Sequence, residues 1–117
     1  MRRVLFIFIF AIALFQFTFI HTAFAGEISN GGKIFNANCA SCHIGGGNIL
    51  IDEKTLKKEA LSKYLENYDA DSIQAIIYLV QNGKNAMPAY KSKLSEQEIL
   101  EVAAYVFQKA EQGWQGS

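Results

Sequence analysis

The chain has 117 residues, half of them apolar and 19% charged, and its eleven basic and eleven acidic side chains cancel to a formal net charge of zero. The lysines are scattered except at Lys57-Lys58, so no basic face is available to a phosphate backbone, which argues against binding DNA or RNA. With only two cysteines, the chain can build neither a disulfide framework nor a four-ligand zinc ribbon.

Arg2 and Arg3 open the chain, an apolar run from Val4 to about Phe19 follows, and Ala23-Phe24-Ala25 then supplies the small residues that a signal peptidase reads before its cut. Residues 1–25 therefore read as a cleaved signal peptide and 26–117 as one domain beginning at Gly26. An uncleaved anchor is the alternative, since the apolar run would just cross a bilayer if it tilted or thinned it. The small-residue site favours cleavage, after which no stable membrane insertion is expected. Twin-arginine export lacks support beyond the two arginines, which are ordinary for the start of a signal peptide. Loss of Arg2 and Arg3 leaves nine lysines against eleven carboxylates, a net charge of −2. A domain of this size has a marginal apolar core unless something else fills it.

The first helix of that domain is expected from about Ser29 to Asn38, with Ser29 or Asn30 as cap and Ile34, Phe35 and Asn38 at helical spacing. It delivers Cys39-Ala40-Ser41-Cys42-His43, and C-x-x-C-H is the spacing at which two thiols add to the vinyls of neighbouring pyrroles while the next imidazole turns under the ring to the iron. A covalently attached haem c, one per chain, follows, and it would supply the missing core. A thioredoxin-type dithiol would want a strand before the motif and a helix opening at its first cysteine, whereas the residues before Cys39 read as helix. As a disulfide the pair would enclose two residues and constrain the unfolded chain very little.

Gly45-Gly46-Gly47-Asn48 cannot sustain a helix and reads as a loop passing close to the haem edge. From Thr55, Leu56, Ala60, Leu61, Tyr64 and Leu65 share one face of a short amphipathic helix. Asp69 or Asp71 caps a third helix whose stripe is Ile73, Ile76, Ile77 and Val80 and whose stop is Asn82-Gly83. Its apolar face is expected against the porphyrin. Ser95-Glu96-Gln97-Glu98 is a capping box opening a fourth helix with Ile99, Val102, Ala103, Val106 and Ala110 as its buried stripe.

A haem that carries electrons has both axial positions filled, and His43 is the sole histidine after the leader, because His21 lies within it. Met87 is the sole methionine there, in Asn85-Ala86-Met87-Pro88 between the third and fourth helices, where proline holds an extended or turned backbone able to lie across a haem face. Lysine ligation is the weaker alternative near neutral pH. His43 and Met87 together predict a mid-to-high-potential carrier, since a thioether favours the ferrous state. With no open coordination position, catalysis at the iron is not expected.

Gly31 and Phe35, Cys39 to His43, Met87-Pro88, and Val102 with Tyr105 resemble the class I cytochrome c pattern. The resemblance implies an all-α fold, about four helices wrapped around one covalently bound haem, with first and last helices crossing at a small residue. More narrowly, Gly45-Gly46, Lys54-Thr55-Leu56, Asn82-Gly83-Lys84, Ala86-Met87-Pro88-Ala89 and Gly113-Trp114 resemble the cytochrome c6 family over essentially all of 26–117. That resemblance implies a soluble carrier in the thylakoid lumen of a plastid or cyanobacterium, moving electrons from the cytochrome b6f complex to photosystem I in place of plastocyanin. Many members carry an arginine where this chain has Lys93, and lysine keeps the charge but loses the planar fork for docking at photosystem I. The rival within the same chemistry is a periplasmic cytochrome donating to a respiratory terminal oxidase. Rivals from other classes are a peroxidase or haem sensor with a labile methionine and an exported helical module without cofactor.

Overall fold

The computed structural model describes residues 1–116 and the side chains of all of these except 14–29. Five α-helices follow one another: α1 (Arg2–Asn38), α2 (Ala40–His43), α3 (Lys58–Tyr64), α4 (Ser72–Asn82) and α5 (Glu96–Glu111). A single 3-10 turn at Ile44–Gly46 follows α2, and the described residues contain no strand beyond one isolated bridge between Lys84 and Met87. The all-α expectation holds.

The first helix differs from expectation at its start. α1 runs unbroken from Arg2 through the N-terminal apolar run, with no boundary at Ser29 or Asn30. No proline interrupts residues 2–30, and a lone Gly26 costs a helix only about 1 kcal/mol relative to alanine. Asn30 does not cap; its amide donates to the Glu101 carboxylate on α5. The side chains of Ser29, of His21 and of Ala23-Phe24-Ala25, where cleavage is expected, lie outside the described ones.

α1 crosses α5, and α5 also receives α4. The crossing requires Gly31: a Cβ there would run into the Glu101 carbonyl and come within 2.8 Å of the Tyr105 Cβ. Close backbone approach therefore depends on an absent side chain. On α5 the stripe of Ile99, Val102, Ala103, Val106 and Ala110 is buried throughout, as its helical spacing requires. The helix begins where the capping box places it, with Ser95 Oγ accepting from Glu98 N–H at 3.1 Å and Glu98 Oε1 accepting from Ser95 N–H at 3.0 Å.

Asp71, not Asp69, caps α4 by accepting from Gln74 N–H at 3.3 Å. Ile76 and Val80 are buried on α4, and Ile73 and Ile77 lie at the margin of the core. α3 is shorter than its apolar pattern suggested and starts at Lys58 rather than Thr55. Lys57 is extended, with ψ 149°, and stands as the cap, while Leu56 before it is held across the molecule, its amide donating to the Gly46 carbonyl at 2.8 Å and its carbonyl accepting from the Trp114 indole.

The C-terminal tail closes the fold. Trp114 Nε1 donates to the Leu56 carbonyl at 2.8 Å, and the indole covers Gly46, where an added Cβ would come within 2.6 Å of the ring. Phe35 lies 5.3 Å from Trp114 and 5.4 Å from Tyr105 by ring centroid, spacings suited to tilted aromatic packing. Helix α1, the loop after the motif and the tail are thereby locked together.

Candidate haem site

The C-x-x-C-H residues form one tight turn at the carbonyl end of α1. Cys39 N–H donates to Phe35 at 2.8 Å as the last bond of that helix, and the Cys39 carbonyl accepts from both Cys42 at 3.2 Å and His43 at 3.0 Å. Both thiols are free, Cys39 half-buried and Cys42 exposed. Burial, and secondarily the proximity of Cys42, pushes the Cys39 thiol up to about 11. A redox dithiol depends on a lowered thiol pKa, the opposite of the direction at Cys39.

His43 is oriented by the loop that follows it. Its Nδ1 lies 2.8 Å from the Gly47 carbonyl, and because a carbonyl only accepts, Nδ1 carries the proton and leaves the Nε2 lone pair free for a metal. Gly45 (φ 59°) and Gly46 (φ 81°) take left-handed conformations that swing Gly47 back toward the imidazole. The expected loop is thus a wound turn that holds a histidine. Asn48 completes it, accepting from the Leu50 and Ile51 amides at 2.9 Å each.

Met87 sits in a closed reverse turn. Lys84 N–H donates to the Met87 carbonyl and Met87 N–H to the Lys84 carbonyl, both at 3.0 Å, with Asn85 at φ 54° between them. Gly83 makes this possible: it has φ 67°, and a Cβ there would lie 2.5 Å from the Met87 carbonyl oxygen and 2.7 Å from the Pro88 carbonyl carbon. Beyond Pro88, Tyr90 N–H donates to Val80 at 2.9 Å and the Tyr90 phenol donates to the Asn38 carbonyl at 3.0 Å. Burial raises the pKa of that phenol, so its donor proton persists. The sequence reading missed Tyr90; an aromatic residue two places after Pro88 was the available signal.

Cys39 and Met87, far apart in sequence, pack half-buried against the same apolar core, with Leu56, Leu65, Ile73, Ile77 and Leu94 at its margin. Lys93, singled out for docking, is exposed with its ammonium 5.4 Å from the Tyr90 ring centroid. The donor set fits a c-type haem. Two free thiols stand one helical turn apart, an imidazole has its metal-binding nitrogen free, and a thioether rides on a braced turn among apolar side chains.

Comparison with known proteins agrees. A family model described as cytochrome c oxidase, cbb3-type, subunit III matches residues 26–106. A cytochrome c6 from a Synechococcus species is 54% identical over 94 residues, spanning 80% of this chain and 80% of the relative. The chain belongs to the cytochrome c6 family. A cytochrome c6 from a Nostoc species is 49% identical over 114 residues, 97% of this chain and 99% of its own. The solved cytochrome c6 of the diatom Phaeodactylum tricornutum superposes with a TM-score of 0.70 at 53% identity, over 74% of this chain and 98% of the diatom chain. Cytochrome c6 membership makes this an electron-carrying c-type cytochrome with covalently bound haem, and the class I fold is as expected.

Proposed function

We propose that Cys39 and Cys42 hold the haem through thioethers, that His43 and Met87 are its two axial ligands, and that the loaded protein carries electrons from the cytochrome b6f complex to photosystem I in the thylakoid lumen. The observation that carries the ligand assignment is the His43–Gly47 bond, which occupies Nδ1 and leaves Nε2 as the ring nitrogen open to a metal, one and four residues from the two thiols. When bound, the haem supplies a one-electron ferric/ferrous couple. His43 enters that role already oriented, so ligation needs no rearrangement of its loop. Met87 contributes a soft neutral donor that favours the ferrous form. The apolar side chains around them exclude water, and the bracing of the Met87 turn keeps ligation the same in both oxidation states. With His43 and Met87 both holding the iron, no coordination position would be open to a substrate, which supports a carrier rather than an enzyme.

Membership of the cytochrome c6 family supports the named partners, and the family match beginning at residue 26 supports removal of 1–25 as a signal peptide. Exposed Lys93 is proposed to steer docking at photosystem I, with weak, salt-screened attraction that allows rapid release. Flash-induced oxidation of the purified holoprotein by photosystem I tests the assignment, and Lys93→Gln is expected to slow it at low salt and to flatten its salt dependence. Failure of oxidation in a protein with a normal low-spin spectrum would favour donation to a terminal oxidase, the reading suggested by the name of the matching family model.

A further inference from the structure

We propose that Tyr90 is a positioning residue whose phenol, bonded to the Asn38 carbonyl, sets how readily the Met87 thioether leaves the iron. The inference rests on Met87 being an axial ligand. The chain between Gly83 and Lys91 forms a strap, and its backbone bonds follow α4: Gly83 donates to Leu79 at 2.7 Å, Tyr90 to Val80 at 2.9 Å and Lys91 to Gln81 at 3.4 Å. The Lys84–Met87 pair stiffens the turn but anchors it to nothing outside. Among the hydrogen bonds of the described residues, the one linking this strap to α1 is Tyr90 Oη to the Asn38 carbonyl, at 3.0 Å and across 52 positions of sequence.

Asn38 is the last residue of α1 and the neighbour of Cys39, so the bond joins the strap bearing the thioether to the helix end bearing the thiols and, through the Cys39 carbonyl, to His43. The Asn38 carbonyl lies in the terminal turn of α1, where helix carbonyls lack partners within the helix, and the phenol supplies one. A thioether is a weak, neutral donor, and its residence on a metal depends on the chain keeping sulfur within reach. Bonds to α4 fix the strap only relative to α4. The phenol fixes it relative to the motif, and the Lys93 ammonium over the ring helps hold the ring in place.

The test is imidazole titration of the ferric holoprotein, because imidazole reaches the iron only after the thioether has left. Tyr90→Phe keeps the ring and deletes the donor, and Tyr78→Phe removes an exposed phenol on α4 as control. One lost hydrogen bond predicts an imidazole affinity about two- to tenfold higher in Tyr90→Phe and unchanged in Tyr78→Phe, with the near-infrared sulfur-to-iron band still present without imidazole. A lowered unfolding midpoint with unchanged imidazole affinity would reduce Tyr90 to a structural role and overturn the inference. Tyr90→Leu removes the ring as well; an affinity gain far beyond that of Tyr90→Phe would assign the effect to ring packing and also overturn it. A wild-type protein lacking the sulfur-to-iron band would instead sink the Met87 assignment itself.

Discussion

At the scale of single residues, the two cysteines are chemically unequal although only two residues separate them. Cys42 is exposed, whereas Cys39 is half-buried with its thiol pushed up to about 11, well above the ordinary 9.0. Below about pH 9 Cys39 is overwhelmingly the unreactive thiol, and its thiolate accumulates only as pH climbs toward 11. In haem-free protein, iodoacetamide at pH 8 is therefore expected to alkylate Cys42 first, read out by peptide mass spectrometry. Equal rates would contradict the burial of Cys39. Met87 and His43 were identifiable from the sequence because each is the sole residue of its kind after the leader. The contacts that brace their segments were not: the Gly47 carbonyl against His43 Nδ1, and the Tyr90 phenol on the Asn38 carbonyl, arise from chain geometry that no residue pattern spells out.

At the scale of elements, two glycines decide how helices and the strap meet. A methyl group at Gly31 would collide with Glu101 and Tyr105 on α5, so Gly31→Ala is expected to cost about 1–3 kcal/mol by overpacking, measured as a lower denaturant midpoint with unchanged spectrum. Gly83→Ala acts differently, because its methyl group would press on the Met87 and Pro88 backbone at a left-handed φ. Its expected result is a weakened sulfur-to-iron band and a lower reduction potential, with helix content retained; an unaltered band would show that the turn adapts without moving the thioether. Helices α4 and α5 were legible because caps and stripes are local: Asp71, Ser95 and Glu98 act within one turn of themselves. The start of α3 was not, since Lys57 is extended and Leu56 is held on both sides by Gly46 and Trp114, which lie elsewhere in the chain. The start of α1 was not either, because capping residues are read as boundaries even where the helix continues through them.

At the scale of the whole molecule, the described side chains form a small core with several large apolar side chains only half-buried at its margin, among them Leu56, Leu65, Ile73, Ile77 and Leu94. A domain this small gains much of its stability from whatever else it buries. Chain produced without haem attachment is accordingly expected to unfold at a markedly lower temperature than holoprotein and with a broader transition, followed by far-ultraviolet circular dichroism. Equal melting curves would mean that the polypeptide core suffices alone.

The sequence by itself determined the helical class, the capping box and buried stripe of α5 and the C-x-x-C-H spacing, because these follow from local periodicity, hydrogen bonding within a turn, and residues close together in the chain. The tertiary structure alone decided which nitrogen of His43 is free, where Met87 is anchored, and how closely α1 approaches α5. Each of these depends on atoms distant in sequence meeting within hydrogen-bonding or van der Waals distance, and only the folded chain fixes such meetings.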